Sequence, residues 1–505
     1  MMQLRLARNA MANLLAAAIP ALVMLVTVPL VVRGLGEAGY GVYSLVTAIV
    51  GYFAVIDINV TAGSVKYIAQ HKANDDDDQV AETVSFGLAS YGAIGLVGGS
   101  GIFVCAGWLV DTVFAVPEAL RTDARAALQL AAPGFLFGQM QAYLNSVPQA
   151  LMRYDMSGRV EIVFGVLVPL ATVGVLLLGG GLADVIALRV VASMVHGLIL
   201  WRTIGRLLPT LRLRWPGAHA RAALLRFSGW SFLSRFATLS YAHADKLIIG
   251  ALAGVTALAY FTVAATLANR VLSLGFRLSG VFFPATSALA ATGQLRRLDQ
   301  TYVKATRYVV FVNAAILALL AVFAYPILAW WMNADFARHG ALILAVMALS
   351  QFVDSLTSLP SLVNDGMGHP RVSGLFAVTR ALVGMVLLYA GIGGWGIVGA
   401  AWAHLAGALM FTGAFLVYVH GRTVPTPLGR LLLHGYLPGL AGVGLVSIAA
   451  GAAARLLGGS PLDIVLSMGA MMLLLILHGA LFVVAPDDRD LAWSRWRTWR
   501  RQAGR

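Results

Sequence analysis

Apolar stretches of about 20 residues recur along the whole chain, beginning with NLLAAAIPALVMLVTVPLVV at 13–32. Each is long enough, as a helix, to cross a hydrocarbon core of ~30 Å. Lipid offers backbone groups no partner, so such a run must close its hydrogen bonds within itself. Fourteen spans are predicted: 10–32, 39–60, 84–106, 126–147, 161–180, 183–205, 228–250, 255–288, 305–330, 340–364, 372–391, 395–419, 431–454 and 462–485. A composition 59% hydrophobic and only 11% charged, with mean hydropathy +0.81, lies outside the range of soluble domains and agrees with that reading. The chain is expected to be an all-α polytopic membrane protein.

The formal charge of +14 would suit nucleic acid, but basic residues of a membrane protein are first tested as markers of cytoplasmic loops. An even number of spans puts both ends on one side. With that side cytoplasmic, 25 of the 36 Lys and Arg fall on inside segments. Only Arg33, Arg121, Arg125, Arg338 and Arg455 fall outside. This asymmetry predicts a multi-pass membrane protein with both termini cytoplasmic, membrane lipids as partners and no nucleic-acid partner. The basic start of the chain resembles a signal peptide, but its apolar run is too long for one, so an uncleaved first span is expected.

Smaller features are read in that frame. The single Cys105 excludes an internal disulfide and any multi-cysteine metal site. The run Asp75 to Asp78 reads as a solvated loop and a start signal for the third span. Trp493, Trp496 and Trp499 recur at spacing three among arginines, as in an interfacial helix on anionic lipid or in a plain positive-inside tail.

Sliding the chain against itself by 217 sets residues 30–48 on 247–265, so that Tyr43 meets Tyr260. The same shift brings spans three to six close to spans nine to twelve. The expected organisation is a six-helix lobe at 1–206, an Arg-rich cytoplasmic linker at 207–227, and a second six-helix lobe at 228–420. Two further helices at 431–485 and a basic tail at 486–505 complete it. Six is even, so the lobes form a parallel pseudo-two-fold repeat, an arrangement that commonly encloses a path and rocks around it.

Two segments carry a resemblance. RGLGEAGYGVYSLVTAIVGYFAVIDINVTAGSVKYIAQ (33–70) and FSGWSFLSRFATLSYAHADKLIIGALAGVTALAYFTVAATLANRV (227–271), the latter followed by FFPATSALA, resemble signatures of the Wzx-type polysaccharide and O-antigen flippases. These belong to the multidrug/oligosaccharidyl-lipid/polysaccharide exporter superfamily. Asn59 and PQALMRYD (148–155) depart from the pattern. The resemblance implies location in the bacterial cytoplasmic (inner) membrane and flipping of undecaprenyl-diphosphate-linked oligosaccharide across it by alternating access. It also implies a polysaccharide polymerase and a chain-length regulator as candidate protein partners.

Independently, six basic residues fall within proposed spans and away from their cytoplasmic ends: Arg189, Arg235, Lys246, Arg270, Arg277 and Arg380. A charge at mid-membrane costs about 2.5 to 3.5 kcal/mol on insertion scales, so each must meet water, an acid or an anionic ligand. Arg235 and Lys246 are eleven apart, Arg270 and Arg277 seven apart, and Arg189 and His196 seven apart, which puts each pair on one helix face. The acids at similar depth are Asp57, Asp245 and Asp354. A cation-lined cavity for an anionic lipid diphosphate is the direct reading, with Arg33 at its outer mouth. Snorkelling or structural ion pairing is the alternative.

Gln141, Asn145 and Gln149 on span four, and Gln351 with Ser358 on span ten, are candidates to bind sugar hydroxyls or to bond neighbouring helices. Asp57, Asp245, Asp354 and His243 are candidates for H+ or Na+ coupling. No cofactor or metal is expected. No Gly-Lys pair occurs among the four lysines, so the chain has no Walker A loop. A drug or cation antiporter of the same superfamily would want an acid-dominated interior. A membrane polymerase or glycosyltransferase would want a catalytic constellation, and none is visible. The chain is therefore expected not to be an enzyme. Asp245 and Lys246 map by the shift onto Val28 and Pro29, so the repeat itself does not require their charges.

Overall fold

The structure is a computed structural model that describes residues 2–54, 60–214, 217, 243–279, 292–456 and 460–490, with side chains from residue 19 onward except at 62 and 271–279. No strand occurs among the described residues. The elements are α1 (Met2–Phe53), α2 (Val60–Ala73), α3 (Asp77–Trp108), α4 (Glu118–Ala150), α5 (Tyr154–Leu177), α6 (Leu182–Leu207), α7 (243–252) and α8 (Val255–Ser279). They continue as α9 (Leu295–Val322), α10 (Ala324–Trp331), α11 (Ala334–Ser355), α12 (Ser358–Gly366), α13 (Pro370–Arg422), α14 (Leu428–Leu456) and α15 (Pro461–Val483).

Among the described residues nine helices are long and apolar enough to cross a membrane. Two of them hold a predicted pair of spans. α1 is broken at Gly36 (φ 72°, ψ 166°), and α13 at Trp395–Gly396 (Gly396 φ 58°, ψ −145°), conformations that glycine adopts without a Cβ clash. The fourth predicted span is helical as α4, but its glutamines keep it outside the nine. The seventh and eighth lie partly outside the described residues. Large apolar side chains face outward, Leu178 being 90% exposed and Ile448 73%, which in water would be a liability and in lipid is the solvated surface. The chain is an all-α polytopic membrane protein.

Two compact units divide the chain: Met1–Thr262 with Leu388–Ile397, and Val263–Leu387 with Val398–Arg505. In the first, α4 packs against both α3 and α6, and α1 against α5. Tyr143 of α4 is fully buried, points its hydroxyl at the carbonyls of Thr83 and Val84 (each 3.2 Å), and stacks on Tyr91. A Cβ at Gly87 would overlap its ring, so the missing side chain is what lets α3 and α4 approach. α3 starts at Asp76, whose carboxylate accepts the Gln79 N–H (3.1 Å), with Asp77 and Asp78 in the first turn. The acidic run therefore serves as a helix start, favoured by the positive N-terminal dipole.

The second half of α1 runs antiparallel to α7 and the start of α8. Gly41 meets Val255, Leu45 meets Gly250 and Gly51 meets the His243 ring, so the two signature segments pack on each other.

In the second unit, α9 packs against α11 and α14. A buried polar chain ties it to the end of α13. The Tyr302 hydroxyl donates to His420 Nε2 (3.1 Å), His420 Nδ1–H to the Thr426 carbonyl (2.7 Å), and the Thr426 hydroxyl to Asp299 (2.7 Å), which Arg430 also meets at 2.6 Å. The Thr426 carbonyl can only accept, so the neutral ring carries its proton on Nδ1.

The repeat is written in the backbone. All eight described residues with positive φ fall into pairs: Gly36 and Gly254, Asp75 and Gly293, Met152 and Gly368, Gly179 and Gly396. Their offsets are 218, 218, 216 and 217. Around the third pair the hydrogen bonds repeat too. Leu151, Met152 and Arg153 donate to Val147, Gln149 and Pro148, as Met367, Gly368 and His369 donate to Val363, Asp365 and Asn364.

Candidate functional site

Gly41 lets the second half of α1 approach the start of α8 at Val255, and tyrosines of both elements meet charged side chains. Arg189 of α6 donates from Nη1 to the Tyr43 hydroxyl, with its guanidinium carbon 5.6 Å from the ring centroid. Tyr40 lies beside Tyr43 (centroids 5.8 Å) and is buried. Tyr260, the repeat mate of Tyr43, donates its hydroxyl to Glu37. Each tyrosine of the pair thus holds one charged side chain, a cation in one case and an anion in the other. The coincidence of Tyr43 with Tyr260 in the shifted sequence is the signal that could have marked them as site residues. Glu37 and Tyr40 carry no comparable signal.

On α7, Asp245 Oδ1 accepts the backbone N–H of Lys246 (2.7 Å), so the acid is turned toward its own backbone. The Lys246 side chain is half-buried, and His243 presses its ring on the backbone of Gly51. Arg270 on α8 and Arg33 at the end of the first half of α1 are both exposed. His196, seven residues from Arg189, is buried and stacked on Phe164 (4.3 Å), so the polar stripe on α6 does not continue along one exposed face.

In the second unit Arg380 Nη2 lies 2.6 Å from Asp354 Oδ2, with both side chains largely buried. That pair neutralises two of the charges counted in the interior. Gln351 and Asp354 lie on α11 and Ser358 begins α12, the two joined through Leu356 and Thr357, which keep right-handed helical angles. On α4, Asn145 Nδ2 donates to Glu161 of α5 (2.7 Å). Gln141 and Gln149 are half-buried on the same helix. Arg235 and Asp57 lie outside the described residues, as does the side chain of Arg277. No cluster of His, Cys, Asp or Glu with metal-ligand geometry occurs among the described residues.

Charged side chains on membrane-spanning helices, which lipid makes costly, mark a functional site in a multi-pass membrane protein. Residues 6–290 match the family described as polysaccharide biosynthesis protein, more than half of the chain, and the chain belongs to that family. It is 22% identical over 416 residues to a putative O-antigen transporter of Shigella flexneri, covering 78% of this chain and 93% of that protein. It is 21% identical over 346 residues to the uncharacterized membrane protein EpsK of Bacillus subtilis (strain 168), covering 66% and 67%. Among solved structures, the lipid II flippase MurJ in an inward closed conformation matches with TM-score 0.69 at 12% identity, over 94% of this chain and 98% of that one. An inward-facing multidrug resistance MATE family transporter of the MOP superfamily matches with TM-score 0.63 at 15% identity, over 83% and 98%. The resemblance read from residues 33–70 and 227–271 is borne out at the level of family and fold.

Proposed function

We propose that this chain flips undecaprenyl-diphosphate-linked oligosaccharide repeat units across the bacterial cytoplasmic membrane for surface polysaccharide synthesis, by alternating access, with both termini cytoplasmic. The family match supports transport of a lipid-linked sugar, and the cations on the two signature segments suit its diphosphate. The single observation that carries the substrate reading is Arg189 held over Tyr43. A planar guanidinium offers phosphate oxygens two parallel donors, and an adjacent aromatic face keeps it oriented. Lys246 and Arg270 act as further phosphate-attracting charges. Asp354 and His243 are the groups through which a coupling proton or Na+ would act.

Complementation of a flippase-null strain tests the reading. Lys246→Ala and Arg270→Ala are expected to abolish surface glycan while the protein stays folded and inserted, and normal glycan in both overturns the cationic path. A reporter fused after Arg505 is expected to be cytoplasmic, and an external signal overturns the orientation.

A further inference from the structure

A groove of about 600 Å³ runs over α4 between α3 and α6, wholly within the first unit. Its walls are Ser85 and Leu88 of α3, Met140 and Leu144 of α4, and Leu198 and Trp201 of α6. Leu198 is 51% exposed and Trp201 38%, so the groove opens outward. One end is roofed by Leu213 and Arg214 of the segment that follows α6. That segment is strapped to the start of α3. Arg214 N–H donates to Ser85 Oγ (2.9 Å), its guanidinium meets Asp78 (2.9 Å), and the Thr210 hydroxyl donates to Asp77 (3.0 Å).

The chemistry of the groove selects its occupant. Ser85 already accepts from Arg214 and donates to the Ala81 carbonyl (2.7 Å), so this hydroxyl has little left to offer a water, and an apolar cavity with few free polar partners takes hydrocarbon. Ser85 lies eight residues into α3, about 12 Å from its start, which sets the groove just inside one membrane interface. Trp201 stands at its rim, the depth that tryptophan favours in bilayers. The mouth is basic. Arg214 lines it, Arg202, Arg206 and Arg212 are exposed on the end of α6 and the segment that follows, and Asp78 is paired with Arg214 and Asp77 with Lys72.

We propose that this groove holds one acyl chain of an anionic bilayer phospholipid, with its phosphate among the arginines of 202–214. The site is independent of the transport reading, since it requires only a bilayer.

Tryptophan fluorescence of the full-length protein in nanodiscs, with the Trp201→Phe variant subtracted to isolate Trp201, tests it. Dibromo-phosphatidylglycerol is expected to quench the Trp201 component about fivefold more effectively than dibromo-phosphatidylcholine, the preference one arginine near an anionic lipid surface confers. Arg212→Gln with Arg214→Gln should lower the preference, and adding Arg202→Gln and Arg206→Gln should abolish it. Ala89→Phe, which fills the groove, should remove quenching by either lipid while thermal melting shows the fold intact. Equal quenching by the two lipids, or a preference that survives both sets of variants, overturns the proposal. Displacement of the brominated lipid by equimolar polyprenyl diphosphate also overturns it, by assigning the groove to a transported lipid.

Discussion

Arg380 and Asp354, 26 residues apart in sequence, meet at 2.6 Å between α13 and α11, with side chains only 21% and 14% exposed. Two charges that cost heavily apart form a single neutral unit inside the second bundle. Removing one partner leaves the other uncompensated, so Arg380→Ala is expected to destabilise the protein by about 3 to 5 kcal/mol. The double variant Arg380→Met with Asp354→Leu should recover most of that loss. Thermal melting in detergent measures the cycle, and a single variant as stable as the parent would sink the assignment.

Gly41 tests the packing of the two signature segments. Replacing a helical glycine with alanine usually stabilises by about 0.5 to 1 kcal/mol through chain entropy. A Cβ at Gly41 would overlap the Val255 carbonyl oxygen, which is backbone and cannot swing away. Gly41→Ala is therefore expected to lose about 1 to 3 kcal/mol, as overpacking does. Gly92→Ala, where a Cβ meets open space, should lose nothing. Melting temperatures of the two variants decide it.

The Tyr43 contact predicts a graded response at Arg189. Arg189→Lys keeps the charge but not the fork, so glycan export in a complementation assay should fall several-fold, and Arg189→Ala should abolish it. Tyr43→Phe keeps the aromatic face and removes the hydroxyl acceptor, and an intermediate loss is expected. All three should melt like the parent, because Arg189 is exposed at the protein surface. Unchanged export in Arg189→Ala would remove it from the transport path.

Asp488, just past α15, gives a pH dependence. The hydrogen bond from Lys304 (2.6 Å), followed by one from Tyr308 (2.6 Å), holds its carboxyl below the ordinary range. A depressed folded-state pKa contributes stability that is present above the unfolded value, about 3.9, and is lost as pH falls through the folded value. Protease cleavage near 485–490 should therefore rise as pH drops below about 4, and Lys304→Gln should move that rise to higher pH. Cleavage independent of pH in the parent would refute the tether.

Most of the fold was legible. Apolar length marks the spans, and the 217 shift agrees with the spacing of the left-handed backbone positions. The left-handed pairs show why that shift was only approximate: loops can gain or lose one residue between the sequence repeats, so Met152 pairs with Gly368 at 216 and Gly36 with Gly254 at 218. A glycine is not needed at every such position, as Asp75 and Met152 adopt positive φ themselves, so residue identity alone could not locate all four breaks.

The candidate site was legible as a list of charges and not as an arrangement. Helical periodicity placed Arg189 and His196 on one face, yet the first reaches Tyr43 across 146 residues while the second packs on Phe164. The sequence by itself determined that the chain spans a membrane many times, that it repeats, and that it carries cations where lipid tolerates few, because length and desolvation cost are properties of local segments. Only the tertiary structure decided which cations are neutralised and which stay available, because the rotation of each helix about its axis is set by the close packing of its neighbours, and that rotation gave Arg380 to Asp354 and Arg189 to Tyr43.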